Sequence, residues 1–289
     1  LLQKLYHFQE NDLEREKKGH LAWREVYSKH TFSHRLRDIC KRAEVTHDWV
    51  EYPAISMITP TFRENLLPRC VETFENQQYP NKELIIVFNS NAEEIPDIEG
   101  LDSNRKDIRI IKVPQERFVG DCLNLGSTVA KGEYCLRVDD DDHYGKYCIM
   151  DISLHFKSMD IDLFGKPTYF FYFAGDSCTF KRPFRVPDLT VIPSNELSKW
   201  NAHVAGNLLG GKREFLLSSS YPHQAFAAAD SSFLYELCEK EFNYACLDGA
   251  GVVIHRSADL QNHTWRQPKN LLTENATELK GKIPTDVMY

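Results

Sequence analysis

From Pro53 onward the chain alternates between two periodicities, and this alternation limits its fold more than any other feature. Ala54-Ile-Ser-Met-Ile-Thr, Glu83-Leu-Ile-Ile-Val-Phe, Ile108-Arg-Ile-Ile-Lys-Val and Glu133-Tyr-Cys-Leu-Arg-Val read as short apolar strands. Between them, Leu66, Leu67, Cys70, Val71 and Phe74 mark one helical face, and Gly120 to Ala130 fits a second helix. Alternation at this pace predicts an α/β fold with a mostly parallel sheet flanked by helices. Such sheets bind ligands beyond the carboxyl ends of their strands. Three polar motifs fall at those ends: Thr59-Pro60-Thr61, Asn89-Ser-Asn91 and the run Asp139 to Asp142.

The flanks read differently. Residues 1–51 are polar, with Leu13, Leu21, Trp23, Val26, Tyr27, Leu36, Ile39 and Cys40 at roughly helical intervals, so an N-terminal helical extension of two or three helices is expected. Its five histidines have no ligand-like partners and read as solvated or packed helix residues. After Tyr144 the pattern is less regular. A helix is expected from Lys146 to Phe156, and a buried strand from Thr168 to Phe173. Asp230 opens a helix faced by Phe233, Leu234, Leu237 and Cys238. Phe242 to Leu247 and Gly251 to His255 are expected to pair as strands around Asp248-Gly249. From Pro268 onward the periodicity is weak, and 268–289 reads as a C-terminal tail.

Composition narrows the function. The net charge is −7, with no long basic run, which excludes nonspecific nucleic-acid binding as the main role. An anionic ligand therefore needs local Arg, Lys or metal. The eight cysteines are scattered without a CxxC pair, which fits reduced thiols in a cytosol better than zinc or a disulfide scaffold. Apolar runs such as Tyr169 to Ala174 fall far short of the ~20 residues of a membrane span. The sequons at Asn262 and Asn275 read as chance occurrences. The chain begins with Leu, which suggests a processed or trimmed chain, or a segment of a longer polypeptide.

Four adjacent carboxylates repel one another unless a cation or solvent relieves them. If the strand continues through them, Asp139 and Asp141 face one side, and Asp140 and Asp142 the other. Carboxylates so paired suit a hard divalent ion that also grips phosphate. The competing reading is a solvated acidic turn in which Asp142 caps the next helix.

Ile55-Ser-Met-Ile-Thr-Pro-Thr-Phe-Arg, Asn124-Leu-Gly with Ala130-Lys-Gly-Glu-Tyr, and the Asp run with Tyr144-Gly145 resemble a family 2 glycosyltransferase of the GT-A fold, of the bacterial surface-polysaccharide type. The resemblance covers roughly residues 54 to 265. It implies a domain at 52–267, with a nucleotide-binding half (52–145) and an acceptor half (146–267). It implies a nucleotide-diphosphate sugar donor such as a UDP-sugar, a glycan or polysaccharide acceptor, Mn²⁺ or Mg²⁺, and inversion at the anomeric carbon. A cytoplasmic location follows, extending to the inner face of the bacterial membrane.

Site residues follow from the same resemblance. Thr59, Pro60, Thr61, Arg63, Asn89, Asn91, Arg117, Asn124, Arg137 and Asp140 would bind the donor. Asp139, Asp141, Asp142 and His263 would hold the metal, with His255 in reserve and Asp140 a spacer facing the donor sugar or solvent. Asn89 stands where the family usually carries a base-holding Asp. Asp230 would be the catalytic base, in Ala228-Ala-Asp-Ser-Ser-Phe, where Ala229 replaces the family's Glu. Read alone, Asp230 is a helix N-cap. Gly206, Asn207 and Trp265 would lie on the acceptor side. Tyr169, Phe171, Trp200 and Trp265 could line a pocket or fill the core. Arg24 to Arg35 is similar to the closing helices of spore-maturation-type transferase domains, so other domains of one polypeptide are expected partners. Two rivals stand beside this reading. One is a nucleotidyltransferase of related fold, disfavoured because no glycine follows the first strand. The other is a binding module decayed from a transferase, for which Asn89 and Ala229 speak.

Overall fold

A computed structural model describes residues 2–47, 49, 52–102, 104–156, 158–183, 189–196, 205–223, 229–259, 261, 263 and 265–289. Trp200, Ala228, Asn262 and Thr264 lie outside the described residues. The four strands expected first are β1 (Ile55–Thr61), β2 (Lys82–Asn89), β3 (Ile108–Val113) and β4 (Tyr134–Arg137). They run parallel in the order β3-β2-β1-β4. β10 (Ala205–Lys212) pairs antiparallel with β4, and β6 (Leu163–Lys166), β11 (Asn243–Cys246) and β9 (Thr190–Pro193) complete an eight-stranded sheet.

Both faces of this sheet are covered, which is why its strands read as unbroken apolar runs. Leu84, Ile86 and Phe88 of β2 pack with Leu67, Cys70 and Phe74 of α4 (Leu67–Asn76) and Ile149 and Ile152 of α6 (Cys148–Phe156). Ile85 and Val87 point the other way, toward Cys122 and Leu123 of α5 (Val119–Val129) and toward Phe233 and Leu237 of the helix Ala229–Leu237. Gly126 lets α5 lie close on β1, since a Cβ there would stand 2.4 Å from Ile58 Cγ2.

A second sheet, β13-β8-β7-β12-β5, is built from β5 (His143–Tyr144), β7 (Phe170–Phe173), β8 (Cys178–Lys181), β12 (Val252–Arg256) and β13 (Thr277–Leu279). It corrects two expectations. The strands flanking Asp248-Gly249 are not a hairpin: β11 lies in the large sheet and β12 in the second, between β7 and β5. The turn is fastened inward instead. Asp248 takes hydrogen bonds from Lys166 Nζ at 3.0 Å and pairs with His155 Nε2 at 3.0 Å, and a Cβ on Gly249 would meet the Tyr169 ring at 2.2 Å. Nor do residues after Pro268 trail away. β13 pairs with β8, Thr179 Oγ1 donates to the Lys282 carbonyl at 2.6 Å, and Val287 is fully buried.

The N-terminal helices are α1 (Leu2–Glu10), α2 (Asp12–Lys29) and α3 (Phe32–Arg42). α2 docks on α6 through charge. Arg24 Nε and Nη2 each donate to Asp151 at 2.6 Å, His20 Nε2 lies 2.8 Å from the same carboxylate, and Asp151 is 0% exposed. Trp23 stacks on His155 with centroids 4.6 Å apart.

Candidate active site

The chain leaves the large sheet at Arg137 and enters the second at His143, so Asp139 to Asp142 span the crossing. The run is not a strand, and the alternation of faces expected of one does not hold. Each carboxylate has its own surroundings. Asp139 is gripped by Arg137, with Nε at 2.6 Å and Nη2 at 2.9 Å, and its N–H donates to Tyr144 Oη at 2.8 Å. Asp140 is no spacer: it is 5% exposed and accepts bonds from the Thr61 hydroxyl and the Arg63 guanidinium. Asp141 accepts from Arg63 Nη1 at 2.8 Å, and His263 Nδ1 lies 4.0 Å from its Oδ2. Asp142 is buried and caps no helix. It accepts from Asn207 Nδ2 at 2.7 Å and from the His255 N–H at 2.8 Å.

Two guanidiniums therefore neutralise much of the run from within. Burial by itself would weaken the charge of Arg63 and Arg137, but Asp140 and Asp139 beside them hold both firmly protonated. The Arg137 side chain is largely buried, at 17% exposed. Burial pushes Asp140 up against the opposing pull of Arg63. Burial, with the nearby charges of Asp141 and Asp139, raises Asp142 well above the usual carboxylate range.

The second half of the chain reaches this crossing through β10. A Cβ on Gly206 would stand 2.9 Å from Asp230 Oδ2 and 3.0 Å from Arg137 Nη1. Glycine therefore allows the Asp230 carboxylate and the Arg137 guanidinium to approach one point. The next residue, Asn207, holds Asp142, so one strand touches both ends of the site. Asp230 sits inside the first turn of its helix and is not the N-cap. The unpaired N–H groups of that turn still favour a carboxylate there. Tyr221 stacks on Phe233 at 4.1 Å and seats this helix.

Other expected donor residues serve the scaffold. Thr59 is buried in the sheet, and Pro60 is half-buried beside it. Asn124 is committed at both ends to Tyr221, donating to its carbonyl at 2.9 Å and accepting from its N–H at 2.8 Å. Asn89 and Asn91 shape the loop at 115–117: Asn89 Nδ2 donates to the Arg117 carbonyl at 3.4 Å, and Asn91 Oδ1 accepts from the Gln115 N–H at 3.2 Å. The Arg117 side chain is exposed. Trp265 is 47% exposed, with its carbonyl held by Arg256 Nη1 at 2.9 Å, whereas Phe171 is core. Sequence reasoning missed Tyr144 as a site residue, although its hydroxyl accepts from Asp139 and donates to the Asn207 carbonyl at 3.3 Å. A tyrosine two residues beyond an acidic run was the available signal.

Among the described residues, no three His, Cys, Asp or Glu side chains converge as a ligand set. Both Asp142 oxygens are engaged, Asp139 faces Arg137, and the His255 ring pairs with His143 at 3.1 Å. The expected four-residue metal set is thus not assembled. Asp141 fits as a single carboxylate ligand for an ion completed by phosphate and water, a common arrangement for Mg²⁺. No described helix is long and apolar enough to cross a membrane.

Residues 56–183 match the family model described as Glycosyl transferase family 2. The EpsH protein of Bacillus subtilis is 33% identical over 95 residues, which cover 32% of this chain and 27% of that protein. Glycosyltransferase GlyG of Streptococcus pneumoniae is 31% identical over 113 residues, covering 38% of this chain and 37% of its own. These matches span well under half the length of either relative. Among solved structures, residues 1–349 of S. aureus TarS in complex with UDP-GlcNAc superpose with a TM-score of 0.55 at 16% identity, covering 70% of this chain and 58% of that fragment. TarS in complex with UDP gives 0.54 at 16% identity, with 71% and 61% covered. At that identity the likeness is one of fold.

Proposed function

We propose that this chain moves a sugar from a nucleotide-diphosphate donor to a glycan acceptor of a bacterial surface polysaccharide, a reading supported by the match of residues 56–183 to the glycosyl transferase family 2 model and by the likeness of fold to TarS. The observation that carries the reading is the meeting of Asp230, from the second half, with Arg137 and Asp139 at the end of β4. A proton acceptor and a cation thus share one point beside the strand ends. TarS, of like fold, is a protein seen with UDP-GlcNAc and with UDP, and this supports a UDP-sugar as donor.

In this reading the acceptor hydroxyl attacks the anomeric carbon from the face opposite the leaving group, inverting it. The new C–O bond forms as the bond to the diphosphate breaks, and the nucleoside diphosphate leaves with the electron pair. Asp230 takes the hydroxyl proton. The sugar gains oxocarbenium character, as in glycoside hydrolysis. Arg63 and Arg137 offset the negative charge that gathers on phosphate oxygens. Mn²⁺ or Mg²⁺, held through Asp141, would add to that charge neutralisation. Asn89 and Asn91 would contact the base, and Gly206, Asn207 and Trp265 would lie on the acceptor side. We place the reaction in the cytoplasm, including the inner face of the membrane, with other domains of the same polypeptide as candidate neighbours.

A nucleotide-sugar panel with Mn²⁺ and glycan acceptor fragments, read by mass spectrometry, tests this. Transfer, or slow release of free sugar from one donor, is expected. Pyrophosphate release would mark a nucleotidyltransferase, and binding without turnover a decayed binding module.

A further inference from the structure

His263 was expected to be a metal ligand, and its hydrogen bonds argue for a different role. The Ser257 N–H donates to His263 Nε2 at 2.8 Å. A nitrogen that accepts a hydrogen bond carries no proton, so the ring is neutral and its proton sits on Nδ1. Nδ1 is the atom that faces Asp141 Oδ2 across 4.0 Å. That gap is too long for a hydrogen bond. The N–H is therefore presented to the site without being consumed by the carboxylate, on a residue only 8% exposed. To ligate a cation through Nδ1, the ring would have to lose that proton, and the bond from Ser257 would have to break.

The backbone around the ring holds this arrangement. Ser257 directly follows β12. The preceding residue, Arg256, fastens the segment that carries the ring, with Nη1 on the Trp265 carbonyl at 2.9 Å and Nη2 on the Gln267 carbonyl at 3.1 Å. Arg63 Nη1 reaches the same Asp141 oxygen from the other side at 2.8 Å. Two N–H donors thus bracket Asp141.

We infer that His263 serves this site as a hydrogen-bond donor through Nδ1, its tautomer set by the Ser257 amide, and that it binds an anionic oxygen of a diphosphate rather than a metal ion. The diphosphate rests on the transfer reaction proposed above; the tautomer does not.

Nitrogen NMR of histidine-labelled protein reads the tautomer directly, with His263 assigned by its loss in His263→Asn. The expected result is a protonated Nδ1 and a bare Nε2, unchanged on adding MgCl₂ alone. Protonation at Nε2, or loss of the Nδ1 proton on adding MgCl₂, overturns the inference. Calorimetry with UDP in MgCl₂ reads the donor role. An asparagine amide can donate from nearly the Nδ1 position, so His263→Asn should stay within about threefold of the parent, whereas His263→Ala should weaken UDP by about tenfold or more. An alanine variant with parental affinity, or an asparagine variant as weak as alanine, overturns the donor role alone. Parent protein that binds neither UDP nor any other nucleoside diphosphate overturns the diphosphate and the transfer reading together, and leaves the tautomer to the NMR result.

Discussion

The molecule holds two clusters of charge, and they differ in what they leave open. One lies at the strand ends: Asp139 to Asp142 with Arg63 and Arg137. The other lies under α2: Asp151 and Asp248 with Arg24, Lys166, His20 and His155. Both pair carboxylates with cations within hydrogen-bond distance. In the second cluster Asp151 and Lys166 are completely buried, and Lys166 Nζ donates to Asp248 Oδ1 and to the Asp248 and Ala250 carbonyls at 2.9–3.0 Å. Its valences are satisfied by the protein itself. At the strand ends, Asp141 keeps 20% of its side chain exposed, Asp230 stands beside Arg137, and the buried Asn207 Oδ1 has no hydrogen-bond partner among the described residues. Sealed charge fastens elements together, while charge with unused valence at a sheet's switch point is available for a ligand.

Four substitutions or conditions can break or sharpen that contrast. The largest effect belongs to the open cluster. Asp230→Asn should lower turnover by about 10²–10⁴-fold and leave calorimetric UDP affinity nearly intact; near-parental transfer removes Asp230 from the role of base. In the sealed cluster, Arg24→Ala strands Asp151 without its bidentate partner and should cost about 3 kcal/mol of stability, read as a shift of the urea midpoint. Turnover per folded molecule should persist, and an unchanged midpoint would show that the cluster does not fasten α2. Gly206→Ala comes next. The new methyl would push Asp230 away from Arg137, and a displacement of about 1 Å can cost up to about 10²-fold in turnover. If the alanine protein is as fast as the parent, the Asp230–Arg137 approach is not part of catalysis.

The smallest effect is one of pH. Burial opposes the charge of Asp248, but Lys166, His155 and His20 hold it well below the usual carboxylate range. The folded state then binds fewer protons than the unfolded chain once pH falls toward the ordinary Asp value near 4. Its stabilisation is complete above about pH 4 and is lost as pH drops further. Urea midpoints taken between pH 7 and pH 3 should fall more steeply for the parent than for Asp248→Asn. Parallel slopes would remove Asp248 from the account.

Much of the first half was legible because its signals are local. β1 to β4, with α4 and α5 between them, follow from apolar period and length, and the ends of β1, β2 and β4 locate the polar motifs. The second half resisted for one physical reason: its order comes from pairings between distant segments. β11 and β12 are close in sequence yet belong to different sheets, because Lys166 and His155 draw Asp248 inward. β13 carries little periodicity of its own and is held by pairing with β8. The Asp run was misread in detail for the same reason, since its residues cross between sheets and do not lie within one.

The sequence alone determined the α/β architecture, the resemblance to family 2 glycosyltransferases and the place of the acidic run, because apolar spacing and the order of short motifs are properties of the chain itself. Tertiary structure decided which aspartate does what. Arg63, Arg137, Asn207 and the His255 amide reach the run from segments that local pattern cannot connect to it. They set which carboxylates are neutralised, which are buried and which remain open.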